Sequence, residues 1–189
     1  MTPEEYVQLK AFARVDGAFL SLLWILSFAF YLIGISNPMY SMAALLLMIV
    51  TPFFVGRRLC RFRDEDRQGV ISFGRSWAYS ILVFFYAAIL LAVVQYIYFA
   101  YMDQGYLLAK FSSIMTAPEN QEMIRQYGMQ QAINDSLKMM EQMRPIDYAL
   151  NVLTMNILLG IFLGLPIAAL TRRDVAANGG QDNQQIVNR

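Results

Sequence analysis

Few residues in this chain have the type and spacing that chemistry uses. Asp64-Glu65-Asp66 sets three carboxylates side by side. Asp16 stands at the edge of a long uncharged run, and Gln95 and Asn156 are amides inside two others. Met139-Met140-Glu141-Gln142-Met143 holds two thioethers one helical turn apart, a step that soft Cu(I) can use. Nothing completes any of these groups into a reactive site. The chain has no histidine, so the commonest general base and the commonest transition-metal ligand are missing. Its one cysteine, Cys60, allows neither an intrachain disulfide nor a multi-cysteine zinc or iron–sulfur site, and it is read as a reduced, idle thiol. No phosphate-binding glycine loop, Gly-x-Ser-x-Gly elbow or paired-carboxylate pattern occurs. The methionines serve equally well as adaptable packing. The prediction is therefore a protein that is not an enzyme, with no catalytic, cofactor-binding or metal-binding residue and no cofactor.

The elements that position these residues follow from composition. Of 189 residues, 57% are hydrophobic and 15% charged, and the mean hydropathy is +0.40. Soluble domains carry about 25% charged residues. A disordered chain, a disulfide scaffold and a nucleic-acid binder with a basic surface are excluded, and a net charge of +1 selects no acidic partner. A bilayer core of ~30 Å needs about 20 apolar residues of helix. Four runs free of Asp, Glu, Lys and Arg meet or approach that length: residues 17–36, 39–55, 76–102 and 148–171. The first is too long for a signal-peptide core of about 7–15 residues, so no cleavage is expected near Ser41-Met42-Ala43.

Lys and Arg fix the predicted orientation. Eleven fall on one side of the four spans and four on the other, which places both termini in the cytoplasm and the connection between spans three and four outside. Tyr31, Tyr40, Tyr96, Tyr98, Tyr101 and Tyr106 collect at the outer ends, and Trp77 and Tyr79 mark the inner end of span three, as amphipathic rings at headgroup level do. Trp24, deep in span one, is read as packing or lipid contact.

Thr2-Pro3-Glu4-Glu5 is a capping box, and Tyr6, Leu9, Phe12 and Ala13 behind it predict a short interfacial helix leading into span one. Val55, Leu59 and Phe62 extend a helical stripe past span two to about Arg63, opposite Arg57, Arg58, Arg61 and Arg63, a face that attracts anionic lipid. Asp64-Glu65-Asp66 follows as a solvated loop, and Gly69 and Gly74 bracket a tight turn into span three. The outer segment, 103–147, is predicted as a two-piece amphipathic helix with a second capping box at Thr116-Ala117-Pro118-Glu119 and a break at Gly128. Met129, Ile133, Leu137 and Met140 share one face of its second piece. Residues 173–189 read as a disordered polar cytoplasmic tail.

Inside the spans, Gln95 and Asn156 lie at similar depth and are expected to share an interhelical hydrogen bond. Asp16 is expected to form an interfacial ion pair with Arg14, Arg75 or Arg172. Gly160 and Gly164 allow a close helix approach within the bundle, and Pro52 is expected to kink span two.

Gly69-Val70-Ile71-Ser72-Phe73-Gly74-Arg75-Ser76, followed by span three and by Tyr96-Ile97-Tyr98-Phe99-Ala100-Tyr101-Met102-Asp103, resembles the Bacteroidetes membrane family called domain of unknown function 4199. The resemblance covers about residues 6–172. It implies four spans, a long outer helical segment before the fourth and a bacterial inner membrane, and it brings no activity or catalytic residue.

The predicted fold is thus all-α: an integral membrane four-helix bundle over 1–172, N-in and C-in, with an amphipathic helical extracytoplasmic segment. Its partners are the lipid bilayer, anionic lipid at the inner surface, and a membrane-protein partner or further copies of itself, with no nucleic acid. The leading function is a non-enzymatic scaffold, accessory subunit or regulator. The alternative is a small transporter or channel subunit working as an oligomer. Two features weigh against it: any internal repeat would be parallel, and the basic bias opposes dual topology.

Overall fold

The charge-free runs lie within long helices but for their last one or two residues at Ile35, Ser36 and Met102, and the local sequence explains where each helix starts and stops. The computed structural model describes residues 2–173. Helix α1 (Pro3–Gly34) opens on the predicted box: Thr2 Oγ1 accepts from the Glu5 amide at 3.2 Å, and the Thr2 amide donates to Glu5 Oε2 at 2.9 Å. There is no separate interfacial helix. Leu9 and Ala13 are buried, and Phe12 packs on Phe62 with ring centroids 5.1 Å apart, so the first turns of α1 belong to the bundle. Asn37 caps α2 (Pro38–Arg61), its Oδ1 accepting from the Met39 amide at 3.1 Å. Pro52 lies inside α2.

Beyond α2 the chain adds one π-helical turn, Phe62–Asp66, so Asp64-Glu65-Asp66 continues the helix and is not a loop. Gln68 and Gly69, at φ 53° and 79°, turn the chain, and Ile71 forms an antiparallel bridge with Arg173 through two 3.0 Å hydrogen bonds. Helix α3 (Phe73–Tyr101) begins at once. Gly74 is therefore inside its first turn and takes no part in the bend. At the far end, Asp103 accepts from the Gly105 and Leu107 amides, both at 3.1 Å, and so opens α4 (Tyr106–Thr116).

The second predicted capping box does not form. Thr116 ends α4, with its hydroxyl donating back to Ser112 O at 2.9 Å. Pro118 disfavours helical backbone in the residue before it, and Ala117 is extended at ψ 136° ahead of α5 (Pro118–Gln126). Gly128, at φ 65°, separates α5 from α6 (Gln130–Gln142), the break expected there. Ile124 is buried; Ile133, Leu137 and Met140 are half-buried, while Met129 is exposed. At the start of α7 (Pro145–Thr171) Arg144 donates to the Asp147 carboxylate from its backbone amide and from its guanidinium, at 2.9 Å each. The polar tail expected from sequence lies, from residue 174 on, outside the described residues.

Helix α3 is the hub. It packs most extensively on α7 and then on α1, and α1 packs on α2, while α2 and α7 meet only briefly. Between helices in a bilayer, lipid tails compete on equal terms with apolar side chains, so close packing holds the bundle rather than water exclusion. Gly17 and Gly160 show how close the approach is. A Cβ at Gly17 would stand 2.7 Å from Tyr86 Cβ, and one at Gly160 would stand 2.4 Å from Phe84 Cβ. The Gly160–Gly164 step faces α3 within the bundle, with Gly164 against Trp77. Trp24, Tyr79, Phe84 and Leu20 fill the middle of the core.

Candidate functional site

Two places gather polar groups. The first is the arginine-rich end. Because α2 runs on past its apolar stretch, its last turns lie beside the first half of α1, and Arg58 reaches Asp16. Asp16 is 2% exposed and also accepts from the hydroxyl of Tyr79, which is fully buried. Tyr79 stacks on Phe62 at 5.2 Å and 14°, and the Arg58 guanidinium lies over Phe19 at 5.5 Å. Both expectations for this end need correction. The partner of Asp16 is Arg58, not Arg14, Arg75 or Arg172, and Tyr79 faces the core and not the headgroups. The missed signal was in the sequence: Asp16 and Arg58 are equidistant from the turn residue Asn37. Trp24 and Thr51 are nearly so, and they too are bonded, Nε1 to Oγ1 at 3.0 Å.

The neighbouring arginines are also engaged. Arg67 and Arg75 both donate to Glu5, at 2.7 Å each. The Arg67 hydrogen bond, the Thr2 amide and the charge of Arg75 hold the Glu5 carboxyl at about 2 against an ordinary 4.5. The uncharged stretch of α1 starts only at Gly17, so Glu5 lies outside it. Arg63, 9% exposed, donates to the Thr171 carbonyl at 2.8 Å and to Asp64 at 2.7 Å. It thus satisfies one of the orphan carbonyls at the C-terminus of α7. Arg61 pairs with Glu65 at 2.8 Å. Of the six arginines from Arg57 to Arg75, only Arg57 forms no ion pair among the described residues. With Phe54, Arg58, Arg61, Asp64 and Glu65 it lines an open groove of about 510 Å³.

The second place lies toward the opposite end. Where α2 and α7 draw apart, a cavity of about 430 Å³ opens between α1, α2, α3 and α7. Gln95 and Asn156 both line it, yet they do not bond to each other. Asn156 Nδ2 donates to Val152 O of its own helix at 2.8 Å, a local bond that competes with any partner across the gap. Gln95 is 5% exposed and its Oε1 is buried with no partner. The shared depth read from the sequence holds, but the expected hydrogen bond gives way to a cavity. The methionines singled out stay apart from both places, and Cys60 lies at the arginine-rich end without entering its ion pairs. Met139 and Met143 lie at the end of α6, and Cys60 is half-buried in α2. No cluster of His, Cys, Asp and Glu able to hold a metal ion occurs among the described residues.

Four helices long and apolar enough to cross a membrane, around polar groups tied into the packing, point to a class: an all-helical multi-pass membrane protein. Within that class the chain belongs to the family described as Protein of unknown function (DUF4199), whose model matches residues 16–173. No curated protein and no solved structure matches the chain.

Proposed function

We propose that the protein is a non-enzymatic scaffold, accessory subunit or regulator of a bacterial inner membrane, with both termini cytoplasmic and α4–α6 outside, acting through helix–helix and lipid contacts. One observation carries this reading. The ionisable groups at the basic end are absorbed by structure: Asp16 by Arg58 and Tyr79, Glu5 by Arg67 and Arg75, Arg63 by Asp64 and the end of α7. What stays open is contact surface. The outward face of α2 presents Met39, Met42, Leu46, Ile49 and Phe53, and its end presents Arg57 beside Arg61. Each basic residue near an anionic surface adds about 1 kcal/mol of attraction.

The test is native mass spectrometry of the tagged protein, gently extracted from its own membrane. A stoichiometric second membrane protein, or retained anionic lipid lost in Arg57→Gln, supports the reading. A lone protein carrying neither counts against it.

The cavity beside Gln95 favours the alternative, a small transporter or channel subunit. Among the described residues no Asp, Glu, Lys or Arg lines that cavity, and coupled ion pathways in membranes use such residues. Proteoliposome flux that Gln95→Leu abolished without loss of folding would establish the alternative.

A further inference from the structure

We propose that the cavity between α1, α2, α3 and α7 binds a neutral amphiphile: an apolar chain or ring system bearing one hydroxyl group. The inference goes beyond the reading above and stands whether or not a partner subunit exists.

Its size, about 430 Å³, lies within the roughly 300–1,000 Å³ of small-molecule sites, and its walls are of the usual kind, mostly apolar with few polar groups. Trp24, Phe28, Leu91 and Val152 supply the apolar wall. Most of the polar groups nearby are already engaged. Ser27 donates to Ala44 O at 3.0 Å, the Trp24 indole to Thr51 at 3.0 Å, and the Asn156 amide nitrogen to Val152 O at 2.8 Å. Tyr31 and Ser41 are exposed at the mouth, and Gln95 is the buried exception. It is more than nine-tenths buried and lines the cavity, and its side-chain Oε1 has no hydrogen-bond partner among the described residues. A buried amide without a partner bears the loss of its hydration with nothing in return. A molecule that brings a donor to its oxygen, or an acceptor to its nitrogen, relieves that loss, and a hydroxyl group can do either.

The same lining sets the chemistry that is refused. Among the described residues no Lys, Arg, Asp or Glu faces the cavity, so a carboxylate or phosphate headgroup would be stripped of water with no counter-charge. A plain hydrocarbon would fill the space and leave Gln95 unsatisfied. The exposed lining residues Tyr31, Leu45 and Met48 form the rim, on the flank where α2 and α7 barely meet. Access is thus from the apolar flank of the bundle, the side on which a lipid-soluble molecule arrives.

The experiment uses the purified full-length protein in lipid nanodiscs and dodecanol carrying a mid-chain diazirine. After photolysis the labelled peptides are mapped by mass spectrometry, with unlabelled dodecanol, dodecane and ionised dodecanoate as competitors. The expected result is saturable labelling of the peptides holding Leu45, Met48 or Val152. Dodecanol should compete about tenfold better than dodecane or dodecanoate, as one good hydrogen bond predicts. Gln95→Leu should abolish the preference for dodecanol over dodecane, and it should fold, because it removes an unpaired group. Leu45→Trp, a change at an exposed rim position, should block labelling independently. Labelling that does not saturate, that maps to the outward face of α2, that dodecane competes equally, or that persists unchanged in both variants would overturn the proposal.

Discussion

Arg58 and Asp16 meet across the α1–α2 interface, one from each arm of the helical hairpin whose turn is Asn37, and the Tyr79 hydroxyl of α3 joins them on the same carboxylate. The burial is unequal. The Asp16 side chain is 3% exposed and that of Arg58 is 27% exposed. A guanidinium so placed can extend toward water along its own stem, whereas the carboxylate has nowhere to go.

This asymmetry predicts which half of the pair matters more. Arg58→Met leaves a buried carboxylate without a counter-charge and should cost about 3 kcal/mol or more. Asp16→Asn keeps an acceptor for Tyr79 and frees a guanidinium that reaches solvent, and it should cost about 1 kcal/mol. Adding Asp16→Asn to Arg58→Met should restore part of the loss, because the stranded charge disappears. Equilibrium unfolding of the four proteins in detergent micelles completes the cycle; independent, additive losses would mean that the two groups are not coupled.

Glu5 predicts an acid limb. Its carboxyl sits at about 2 in the folded protein against an ordinary 4.5, chiefly through the Arg67 hydrogen bond. A depressed carboxylate stabilises the fold fully above its ordinary value, and the contribution fades as pH falls from about 4.5 toward 2. Glu5→Gln should therefore lower the Tm at neutral pH and converge on the parent near pH 2. Asp147, held at about 2 by Arg144, titrates over the same window, so the variant should keep a smaller acid limb. Thermal unfolding across that range reads both; a Tm gap independent of pH would remove the Glu5 ion pairs from the account.

The helices were legible in the sequence where the signal is local. Four runs without charge, the box at Thr2 and the break at Gly128 each depend on a few neighbouring residues, and the chain folds as they indicate. What the sequence hid is rotation about helix axes. Counting residues gave Gln95 and Asn156 the same height but not the direction of their side chains, and Asn156 turned to its own backbone. The sequence pattern made Arg58 and Arg63 members of a basic face that attracts anionic lipid, although one serves Asp16 and the other the end of α7. At Thr116 two local rules conflicted: the capping pattern was present, but Pro118 made Ala117 the extended residue and left Thr116 inside α4. The cavity had no local signal, since it arises where two helices distant in sequence fail to close.

Orientation is open to a direct chemical reading. Glu119 is exposed on α5, in the segment proposed to lie outside. In a Cys60→Ser background, Glu119→Cys should react with an impermeant maleimide added to intact cells, and it should do so without permeabilisation. The parent protein, whose Cys60 is half-buried at the basic end, should stay unlabelled under the same conditions. Labelling of Cys60 and not of position 119 would reverse the proposed sides.

Gly160 predicts a packing defect that a second substitution can relieve. Its hydrogen faces the Phe84 side chain, and any Cβ there would come within 2.4 Å of Phe84 Cβ. The contact is to the root of the side chain, so Phe84 cannot swing clear by rotation alone, and α3 and α7 must move apart along their most extensive interface. Overpacking of this kind costs about 1–3 kcal/mol, so Gly160→Ala should lie in that range and Gly160→Val above it. Shortening the facing residue should help little in the Ala variant, since Phe84→Leu retains the Cβ that clashes. Phe84→Gly removes that atom but opens a core void of its own, and should be the more damaging single change. In combination with Gly160→Ala, Phe84→Gly should cost less than the sum of the two. Thermal unfolding in micelles gives the interaction energy. Strict additivity would mean that the α3–α7 approach at Gly160 is looser than the geometry requires.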